Sequence, residues 1–351
     1  MLLTLPAADV LARLDEFDTV IDARSESEYA EDHLPGAVNW PTLDDAERRL
    51  VGTEYKQLSG FDAKKRGAAL AARNIATHLE REVQDKPKGW RPLVYCWRGG
   101  SRSGALAHIL GEIGFRVHRL EGGYQQYRRE LIASLETVPA ALQYRVICGT
   151  TGSGKSRLLQ TLRARGAQVI DLEALANHRG SVLGLVPGET QPGQKRFDTL
   201  VWDALRRVDP ARPVFIESES KKVGDLRVPA ALIERMRASP CLWLELPLDA
   251  RVALLIEDYD FFVRDTEAFC ARLDALRATR GHDVVNGWQA AARTGRTDAV
   301  VRELLVAHYD PVYVQSMQRN FPALARPTVP LQWDGSAASL EAAAAEAIAR
   351  G

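Results

Sequence analysis

Residues 149–156 read Gly-Thr-Thr-Gly-Ser-Gly-Lys-Ser and match the pattern G-x-x-x-x-G-K-[S/T] at every fixed position. A loop of this pattern wraps backbone N–H groups around phosphate oxygens, and it requires a strand before it and a helix after it. The apolar run 144–148 predicts the strand, and the pattern of residues 157–165 predicts the helix. Because both conditions are met, this part of the chain is predicted to fold as an α/β unit around a phosphate-binding loop, or P-loop.

The P-loop residues have expected roles in holding a phosphate group. The ammonium of Lys155 neutralises phosphate charge, and the hydroxyl of Ser156 can reach a Mg²⁺ ion if one is present. The loop indicates that a diphosphate, a triphosphate or a similar anion is held, and it does not by itself indicate nucleotide hydrolysis. The candidate phosphate-binding residues are Gly149, Thr150, Thr151, Gly152, Ser153, Gly154, Lys155 and Ser156.

Acidic residues end two further predicted strands of the same unit, and a polar, glycine-bearing loop follows the first of them. The carboxyl ends of parallel strands are where such sheets bind their ligands, so these acids are candidates for metal binding or substrate positioning. Solvated acids at strand ends are also common, and both interpretations stay open. The candidates are Asp171, Glu173, Glu217 and Glu219 at the strand ends, and His178 and Arg179 in the loop.

A second chemical feature is a cysteine between a predicted strand, 93–95, and a predicted helix, 103–113. The N–H groups of a curled loop and of a helix N-terminus point to one spot, where an anion can bind. Cys96 lies at that spot and is predicted to act as a thiolate nucleophile. The residues predicted to form this anion loop are Arg98, Gly99, Gly100, Ser101 and Arg102.

The cysteine loop has two other interpretations, a structural cysteine and a phosphatase loop. A lone cysteine is more often a buried structural residue, although the surrounding Arg-Gly-Gly-Ser-Arg favours a chemical role. The spacing from Cys96 to Arg102 also fits the C-x5-R loop of cysteine phosphatases, but no Asp stands out as the general acid that such an enzyme needs. A phosphatase is therefore the second choice.

Composition limits the class of protein. With 351 residues, of which 46% are hydrophobic and 26% charged, the chain is long enough for two globular domains. The 46 basic and 46 acidic side chains cancel, so the chain is not a general polyanion binder, and contact with RNA requires a local basic patch. The candidate basic groups are 64–66, 128–129, 206–207 and 221–222.

The cysteines and the apolar runs indicate the compartment. The four cysteines form no C-x-x-C pair, so we expect no disulfide framework, no zinc knuckle or other cysteine metal site, and a reducing environment. No apolar run approaches the ~18 residues that a membrane-spanning helix needs. We therefore expect a cytoplasmic protein that makes no membrane contact.

Residues 1–130 resemble the rhodanese family of sulfur-transfer domains. The segments that carry the resemblance are 20–24, 33–37, 96–102 and 120–124. The resemblance implies that Cys96 carries a persulfide or its selenium counterpart. One departure is the predicted helical stretch 47–82, which is longer than a minimal rhodanese domain needs.

A rhodanese-like domain joined to a P-loop domain resembles the tRNA 2-selenouridine synthase family, and the resemblance covers nearly the whole chain. The segments that carry it are 51–56, 149–156, 171–181, 191–197, 217–220 and 309–313. The implied fold class is α/β. An N-terminal rhodanese-like parallel-sheet domain is expected at 1–135, followed by a P-loop NTPase-like α/β domain at 136–351 with a largely helical C-terminal part.

The second resemblance implies a reaction on tRNA that bears 2-thiouridine at the wobble position. Family members replace that sulfur with selenium from selenophosphate, through an S-geranyl-2-thiouridine made with geranyl diphosphate. The P-loop can hold the diphosphate leaving group, and Cys96 is expected to take selenium or assist its delivery to the base. Selenophosphate is an anion that either site can accept, and a selenophosphate-supplying enzyme is the implied protein partner.

Two other functions stay open on the sequence alone. One is a P-loop kinase or ATPase fused to a regulatory or sulfurtransferase rhodanese domain, which steady nucleotide turnover without tRNA would favour. The other is a tRNA-binding or partner-binding module without enzyme activity, in which Cys96 would be inert.

Overall fold

A computed structural model describes residues 2–179, 190–325 and 329–351. The chain forms two compact units. The first unit comprises residues 1–134 and 193–203, and the second comprises residues 135–192 and 204–351. Each unit has its own five-stranded parallel sheet, so each is described separately.

The sheet of the first unit has the strand order β1-β5-β4-β2-β3, and its neighbouring strands are parallel. The strands are β1 (Leu2–Leu5), β2 (Thr19–Asp22), β3 (Ala37–Asn39), β4 (Pro92–Tyr95) and β5 (Val117–Leu120). All four residues of β4 are buried, as expected for a central strand covered on both faces. The edge strand β1 was not predicted from the short apolar start of the chain, because only its pairing with β5 makes that segment a strand.

The helices of the first unit begin at residues suited to capping. Ser25 with Glu28 and Asp44 with Glu47 form capping boxes, in which side chains satisfy the N–H groups that a helix start leaves free. The helices are α1 (Ala7–Ala12), α2 (Glu26–Glu31), α3 (Asp45–Gln57), α4 (Gly60–Glu82), α5 (Ser101–Ile113) and α6 (Gly123–Ala141), with a 3₁₀ turn at Leu14–Glu16. Helix α6 extends beyond residue 134, where the first stretch of the first unit ends, and continues past Pro139.

The sheet of the second unit has the strand order β12-β11-β6-β8-β7, and its neighbouring strands are also parallel. A separate two-stranded antiparallel hairpin, β9 with β10, follows β8. The strands are β6 (Tyr144–Cys148), β7 (Gln168–Ile170), β8 (Val214–Glu217), β9 (Lys222–Val223), β10 (Leu226–Arg227), β11 (Cys241–Glu245) and β12 (Leu331–Gln332).

Helices make up most of the remaining chain. They are α7 (Lys155–Ala164), α8 (Leu172–Leu175), α9 (Gln194–Arg206), α10 (Ala230–Arg237), α11 (Leu248–Asp258), α12 (Asp260–Arg264), α13 (Thr266–Leu273), α14 (Arg277–Arg280), α15 (His282–Arg293), α16 (Thr297–Glu303), α17 (Asp310–Asn320) and α18 (Ala337–Ala349). Short 3₁₀ turns lie at Asp274–Leu276 and Pro322–Ala325, and a π-helix lies at Leu304–Tyr309. Helices α13, α15 and α16 and the π-helix share an apolar core that includes Leu273, Trp288 and Leu304.

The N-terminal part of α9 belongs to the first unit, although the chain on either side of residues 193–203 belongs to the second. The buried Asp32 carboxylate accepts hydrogen bonds from Thr199 of α9 at 3.0 Å and from Tyr124 at 2.8 Å. Arg128 donates to Asp198 at 2.8 Å. The expected division into 1–135 and 136–351 did not include this excursion, because the contacts join residues about 70 to 170 positions apart in sequence.

The α/β fold class is confirmed: two parallel-sheet units follow one another, and the second has a largely helical C-terminal part. Among the described residues, no helix combines the length and the apolar character that crossing a membrane would require.

Candidate active site

The cysteine loop joins the central strand β4 to helix α5. Cys96 follows Tyr95 directly, and α5 begins at Ser101 with Gly100 as its N-cap residue. Hydrogen bonds hold the loop to the start of α6, where Tyr124 N–H donates to the Cys96 carbonyl at 2.8 Å and Gln125 N–H donates to the Trp97 carbonyl at 3.1 Å. The sequence predicted this strand-loop-helix arrangement.

Cys96 is more buried than a loop nucleophile was expected to be. The residue is 3% exposed and belongs to an apolar cluster that includes Trp40 and Leu106. The Ser103 hydroxyl donates a hydrogen bond to the Cys96 sulfur at 3.1 Å. Ser103 was not among the predicted site residues, although its place in the first turn of α5 could have suggested the contact.

The two arginines of the loop have partners of their own. Arg102 donates to the Glu28 carboxylate at 2.6 Å and 3.4 Å, and Arg98 donates to the Gln125 side chain at 3.1 Å. Arg98 is exposed and Arg102 is half-buried. The charge of Arg102 is therefore largely balanced by Glu28, and the contribution of both arginines to anion binding stays a prediction.

A buried hydrogen-bonded group lies beneath the loop. Arg24 makes a two-pronged ion pair with Asp22, at 2.6 Å and 3.0 Å, and the Tyr95 hydroxyl donates to Asp22 at 2.7 Å. The Arg24 guanidinium also lies 4.0 Å from the centre of the Tyr124 ring. These contacts pin the ends of β2 and β4 together, which fixes the point from which the Cys96 loop begins.

Gly123 is the residue on which the loop packs most closely. It has a φ of +59°, and a side chain added there would meet the Cys96 carbonyl oxygen and, at 2.5 Å, the Gly99 amide nitrogen. A left-handed conformation costs a non-glycine residue about 1–2 kcal/mol even without a clash. Glycine is therefore required here by conformation and by space.

We expect Gly123→Ala to lower the free energy of unfolding by at least about 1–2 kcal/mol. The added methyl group must either push the Cys96 loop away or strain the start of α6. Urea unfolding followed by tryptophan fluorescence measures the change. Gly89→Ala is the matched control, because nothing lies within 4 Å of a side chain added at that position. Equal unfolding midpoints for the two variants would contradict this packing.

The P-loop turns from β6 into α7, as its pattern predicted. Gly154 has a φ of +81°, and a side chain there would enter the ring of Trp333, so only glycine fits. The Lys155 ammonium donates to the Gly149 carbonyl at 3.0 Å and lies 5.2 Å from the centre of the Tyr313 ring. These contacts hold the lysine folded back over its own loop.

The charge of Lys155 is supported by its neighbours. Burial lowers the pKa of this ammonium, but Tyr313 and the carboxyls of Glu173 and Glu219 raise it, and the net shift is upward. Lys155 therefore keeps its positive charge in a partly enclosed place. A fixed cation with few waters around it attracts a phosphate group more strongly than an exposed lysine does.

Three of the predicted acids contact one another or the loop. The Ser156 hydroxyl donates to Glu173 at 3.2 Å, and the Glu173 backbone N–H donates to Glu217 at 2.8 Å. Burial raises the pKa of Glu219 well above its ordinary value, and the adjacent Glu173 raises it further. The raised pKa shows that burial and the neighbouring carboxyl disfavour two full negative charges at this spot, although carboxylate charge here still supports the Lys155 cation.

The remaining predicted residues of this region take different positions. Asp171 caps α8 by accepting from the Ala174 N–H at 2.9 Å, and burial raises its pKa. Glu217 is buried, its second carboxylate oxygen has no hydrogen-bond partner in the described part of the chain, and burial raises its pKa well above the ordinary value.

The loop after α8 holds the two other predicted residues. His178 is buried, and Arg179 lies 4.9 Å from the centre of the Tyr259 ring. Gly180 and Ser181, which follow, lie outside the described residues.

Sequence reasoning assigned no role to a pair of residues that brace the P-loop. The Arg251 guanidinium donates to the Thr151 carbonyl at 2.7 Å and 3.0 Å, and forms a two-pronged ion pair with Asp310 at 2.6 Å and 2.9 Å. Arg251 is buried. Asp310 lies in the resembling segment 309–313, but nothing in the sequence pattern shows that it reaches the loop through an arginine about 60 residues earlier.

A cavity of about 1230 Å³ opens at the P-loop. It gathers Lys155 and Ser156 with the acids Asp171, Glu173 and Glu219, whereas Glu217 does not line it. His178 and Arg179 also line this cavity. The loop is therefore accessible to an anion, and most of the predicted site residues of the second unit face one space.

A smaller pocket of about 60 Å³ adjoins this cavity and shares four lining residues with it. The shared residues are Thr151 of the P-loop, Leu255, Tyr259 and Tyr309. Seven of the eleven residues that line the smaller pocket have hydrocarbon side chains, and none is charged. These seven are Leu255, Ile256, Val263, Phe269, Val301, Leu304 and Leu305. The π-helix supplies Leu304, Leu305 and Tyr309, and such irregular turns often occur at functional sites.

Comparison with known proteins assigns both units to families. A model described as "tRNA 2-selenouridine synthase AAA domain" matches residues 142–284, and a rhodanese-like domain model matches residues 6–130. A tRNA 2-selenouridine synthase of Cupriavidus necator is 35% identical over 337 residues, which cover 86% of this chain and 89% of that protein. The chain belongs to the tRNA 2-selenouridine synthase family.

Other members of the family and one solved structure are also similar. A tRNA 2-selenouridine synthase of Nitrosomonas europaea is 36% identical over 258 residues, which cover 72% of this chain and 66% of that protein. The N-terminal domain of a putative ATP/GTP binding protein from Clostridium difficile is 31% identical, with a TM-score of 0.31, over 36% of this chain and 98% of that chain.

Proposed function

We propose that this chain is a tRNA-modifying transferase that replaces the sulfur of wobble 2-thiouridine with selenium from selenophosphate. The proposed route passes through S-geranyl-2-thiouridine, which is made from geranyl diphosphate. Membership in the tRNA 2-selenouridine synthase family supports the overall reaction. The apolar pocket, which Thr151 of the phosphate loop also lines, is the observation that supports geranyl diphosphate rather than a nucleotide as the ligand.

A P-loop alone does not distinguish a nucleotide from another diphosphate, and the apolar pocket beside this loop supports the choice of a prenyl diphosphate. A nucleoside needs polar groups for its sugar and base, and such sites combine apolar walls with a few placed donors and acceptors. The pocket beside this loop offers mainly aliphatic and aromatic carbon. Transfer of a hydrocarbon chain from water to such an apolar wall is favourable by about 0.8 kcal/mol for each buried CH₂ group.

In the first proposed step, the sulfur of 2-thiouridine attacks carbon 1 of geranyl diphosphate. A C–S bond forms, the C–O bond breaks, diphosphate leaves, and the base loses its N3 proton. Lys155 and the N–H groups of the P-loop stabilise the charge that grows on the departing diphosphate. Burial lowers the pKa of Lys155, but its neighbours, Tyr313 and the acids Glu173 and Glu219, raise it by more. The net rise is consistent with a permanent cation in this role.

In the second proposed step, the selenium of selenophosphate bonds to C2 of the base. The bond from C2 to the geranyl sulfur breaks, and geranyl thiol leaves with a proton. Water then cleaves the Se–P bond and releases phosphate. In this proposal Cys96 assists the delivery of selenium as a protonated thiol that gives its proton to the leaving geranyl sulfur, which differs from the thiolate nucleophile expected from the sequence. Alkylation comes first because it converts a poor leaving group into a good one.

A Mg²⁺ ion would find few protein ligands here. Ser156 and Glu173 place two oxygen donors 3.2 Å apart beside the phosphate loop. In the ranges that the structure describes, no cluster of three His, Cys, Asp or Glu side chains is arranged to hold a metal. Oxygens of the diphosphate would therefore complete the coordination of any Mg²⁺ ion, whose role would be to neutralise diphosphate charge.

One reconstituted reaction tests the proposal. Purified protein is incubated with thiouridine-bearing tRNA, geranyl diphosphate and selenophosphate, and the digested nucleosides are weighed by mass spectrometry. We expect S-geranyl-2-thiouridine without selenophosphate, and 2-selenouridine with it. If neither nucleoside forms, the proposal is wrong.

The rival function, a kinase or ATPase, is separated by a parallel assay. Steady release of phosphate from ATP or GTP without tRNA, together with no geranylated nucleoside, would favour the rival. We expect no such turnover, because the apolar pocket beside the P-loop suits a hydrocarbon chain better than a nucleoside. The large cavity at the loop also has polar lining residues, such as Asn177 and Gln160, so this assay is the direct test.

We expect Val301→Phe to change the preferred chain length of the prenyl diphosphate. Val301 is half-buried and lines the apolar pocket, so a larger side chain fills space that the outer part of a geranyl chain would use. The loss of about two buried CH₂ groups corresponds to roughly tenfold in kcat/KM for geranyl diphosphate. Dimethylallyl diphosphate, which is five carbons shorter, should be affected much less.

Steady-state kinetics with both diphosphates measures this selectivity. Val306→Phe is the matched control, because Val306 lies in the π-helix that directly follows α16 but is 53% exposed and does not line the pocket. Equal losses for the two diphosphates in Val301→Phe would show that this pocket does not hold the chain.

A further inference from the structure

The hairpin formed by α3 and α4 carries a feature that the proposed chemistry does not use. Helix α3 buries none of its residues, and the end of the hairpin exposes three large apolar side chains. Tyr55 is 58% exposed, Leu58 is 81% exposed and Phe61 is 70% exposed. A scattered exposed apolar residue needs no explanation, but three within seven positions at one hairpin end form a patch.

The same end of the hairpin has an excess of positive charge. Residues 54–66 contain four basic and two acidic side chains, in a chain whose total charge is zero. Both acids are paired, Glu54 with Arg66 at 2.9 Å and Asp62 with Lys65 at 2.7 Å. In the described part of the chain, no ion pair involves the two remaining lysines, Lys56 and Lys64, which are exposed.

The rings at this end are held in place. A side chain added at Gly60 would lie 3.3 Å from the Tyr55 ring, so the hairpin turn packs directly against that tyrosine. The Lys65 ammonium lies 5.0 Å from the centre of the Phe61 ring. Ser59 caps α4 by accepting from the Asp62 N–H at 3.2 Å. Rings that are already oriented lose little freedom when a flat partner stacks on them.

We infer that the hairpin tip, defined as Tyr55, Lys56, Leu58, Phe61 and Lys64, binds a single-stranded loop of the tRNA substrate. An aromatic ring at the tip stacks on an unpaired base, and the two unpaired lysines contact the adjoining phosphates. This inference rests on the proposed function for the identity of the RNA. The charge favours RNA over an apolar protein surface, since two unpaired ammonium groups would have to be desolvated against such a surface.

Binding of labelled tRNA to the full chain, measured by fluorescence anisotropy over a series of KCl concentrations, tests the tip. We expect Phe61→Ser to raise the Kd about tenfold, within the range that loss of one stacked base produces. We expect Lys56→Ala with Lys64→Ala to reduce the slope of log K against log salt by about 1.4, because each phosphate that a lysine neutralises on a single strand contributes about 0.7. All three positions are exposed, so the fold should be retained.

Matched variants separate stacking and local charge from general effects. Phe61→Tyr keeps the ring and should bind as the wild type does. Lys88→Ala removes an exposed lysine of the same unit outside the tip and should leave the Kd and the salt slope unchanged. Thermal unfolding of each variant checks that the fold is intact.

The outcomes distinguish this inference from the proposed function. If the wild type modifies tRNA and the tip variants bind it with unchanged Kd and slope, the inference alone is wrong. Two other results would also contradict the inference, provided that the Kd for tRNA is unchanged. If Phe61→Ser changes the oligomeric state measured by sedimentation, the tip binds a second copy of the chain. If Phe61→Ser changes how much protein floats with anionic vesicles, the tip binds a lipid surface. If the wild type binds no tRNA, both the inference and the proposed function are overturned.

Discussion

Lys155→Ala is expected to reduce geranyl transfer to tRNA by about 100- to 1,000-fold, the range for loss of one group that stabilises transition-state charge. Lys155 lies at the start of α7, and its ammonium is held by the Gly149 carbonyl at 3.0 Å. Its side chain is in the cavity where a diphosphate would bind, and its charge is maintained by Glu173 and Glu219. Alanine removes the cation where leaving-group charge develops.

The measurement is the single-turnover rate of S-geranyl-2-thiouridine formation with the protein in excess over tRNA. Arg272→Ala is the matched control, because Arg272 is an exposed cation of the second unit that lines neither cavity and lies outside the candidate RNA-binding groups. Binding of tRNA by Lys155→Ala should be normal, which separates a loss of chemistry from a loss of substrate. Wild-type rates in Lys155→Ala would remove the P-loop from the reaction.

Cys96→Ser is expected to stop selenium insertion while leaving the geranylated nucleoside detectable. General acid catalysis contributes about 100- to 10,000-fold, and a serine hydroxyl is a far weaker acid and nucleophile than a thiol. The exchange changes one atom in a residue that is 3% exposed, and Ser103 can hydrogen-bond to oxygen as it does to sulfur. The fold of the loop should therefore survive the change.

Accumulation of S-geranyl-2-thiouridine with selenophosphate present is the distinguishing result for Cys96→Ser. Cys270→Ser is the control, because Cys270 is a buried cysteine in the helical core of the second unit and lines neither cavity of that unit. If Cys96→Ser made normal amounts of 2-selenouridine, the role proposed for this thiol would be wrong. If it lost geranylation as well, Cys96 would act earlier than proposed.

Local sequence patterns were sufficient to predict a loop wherever all the residues that form it lie in one short segment. The P-loop is an example, because its glycines, its lysine and the flanking strand and helix all lie within about 20 residues. The Cys96 loop is another, since the strand, the glycines and the helix start are consecutive. The family resemblance added the link between the two units, which no single motif could supply.

What the sequence alone determined is thus the α/β class, the position of both loops and the family. The tertiary structure decided which side chains meet: Ser103 on the Cys96 sulfur, Glu28 on Arg102, Arg251 between Thr151 and Asp310, and the apolar pocket beside the P-loop. It also decided that Cys96 is buried and that residues 193–203 join the first unit. The reason is physical: backbone patterns act over a few residues, whereas burial and ion pairing depend on contacts between residues far apart in sequence.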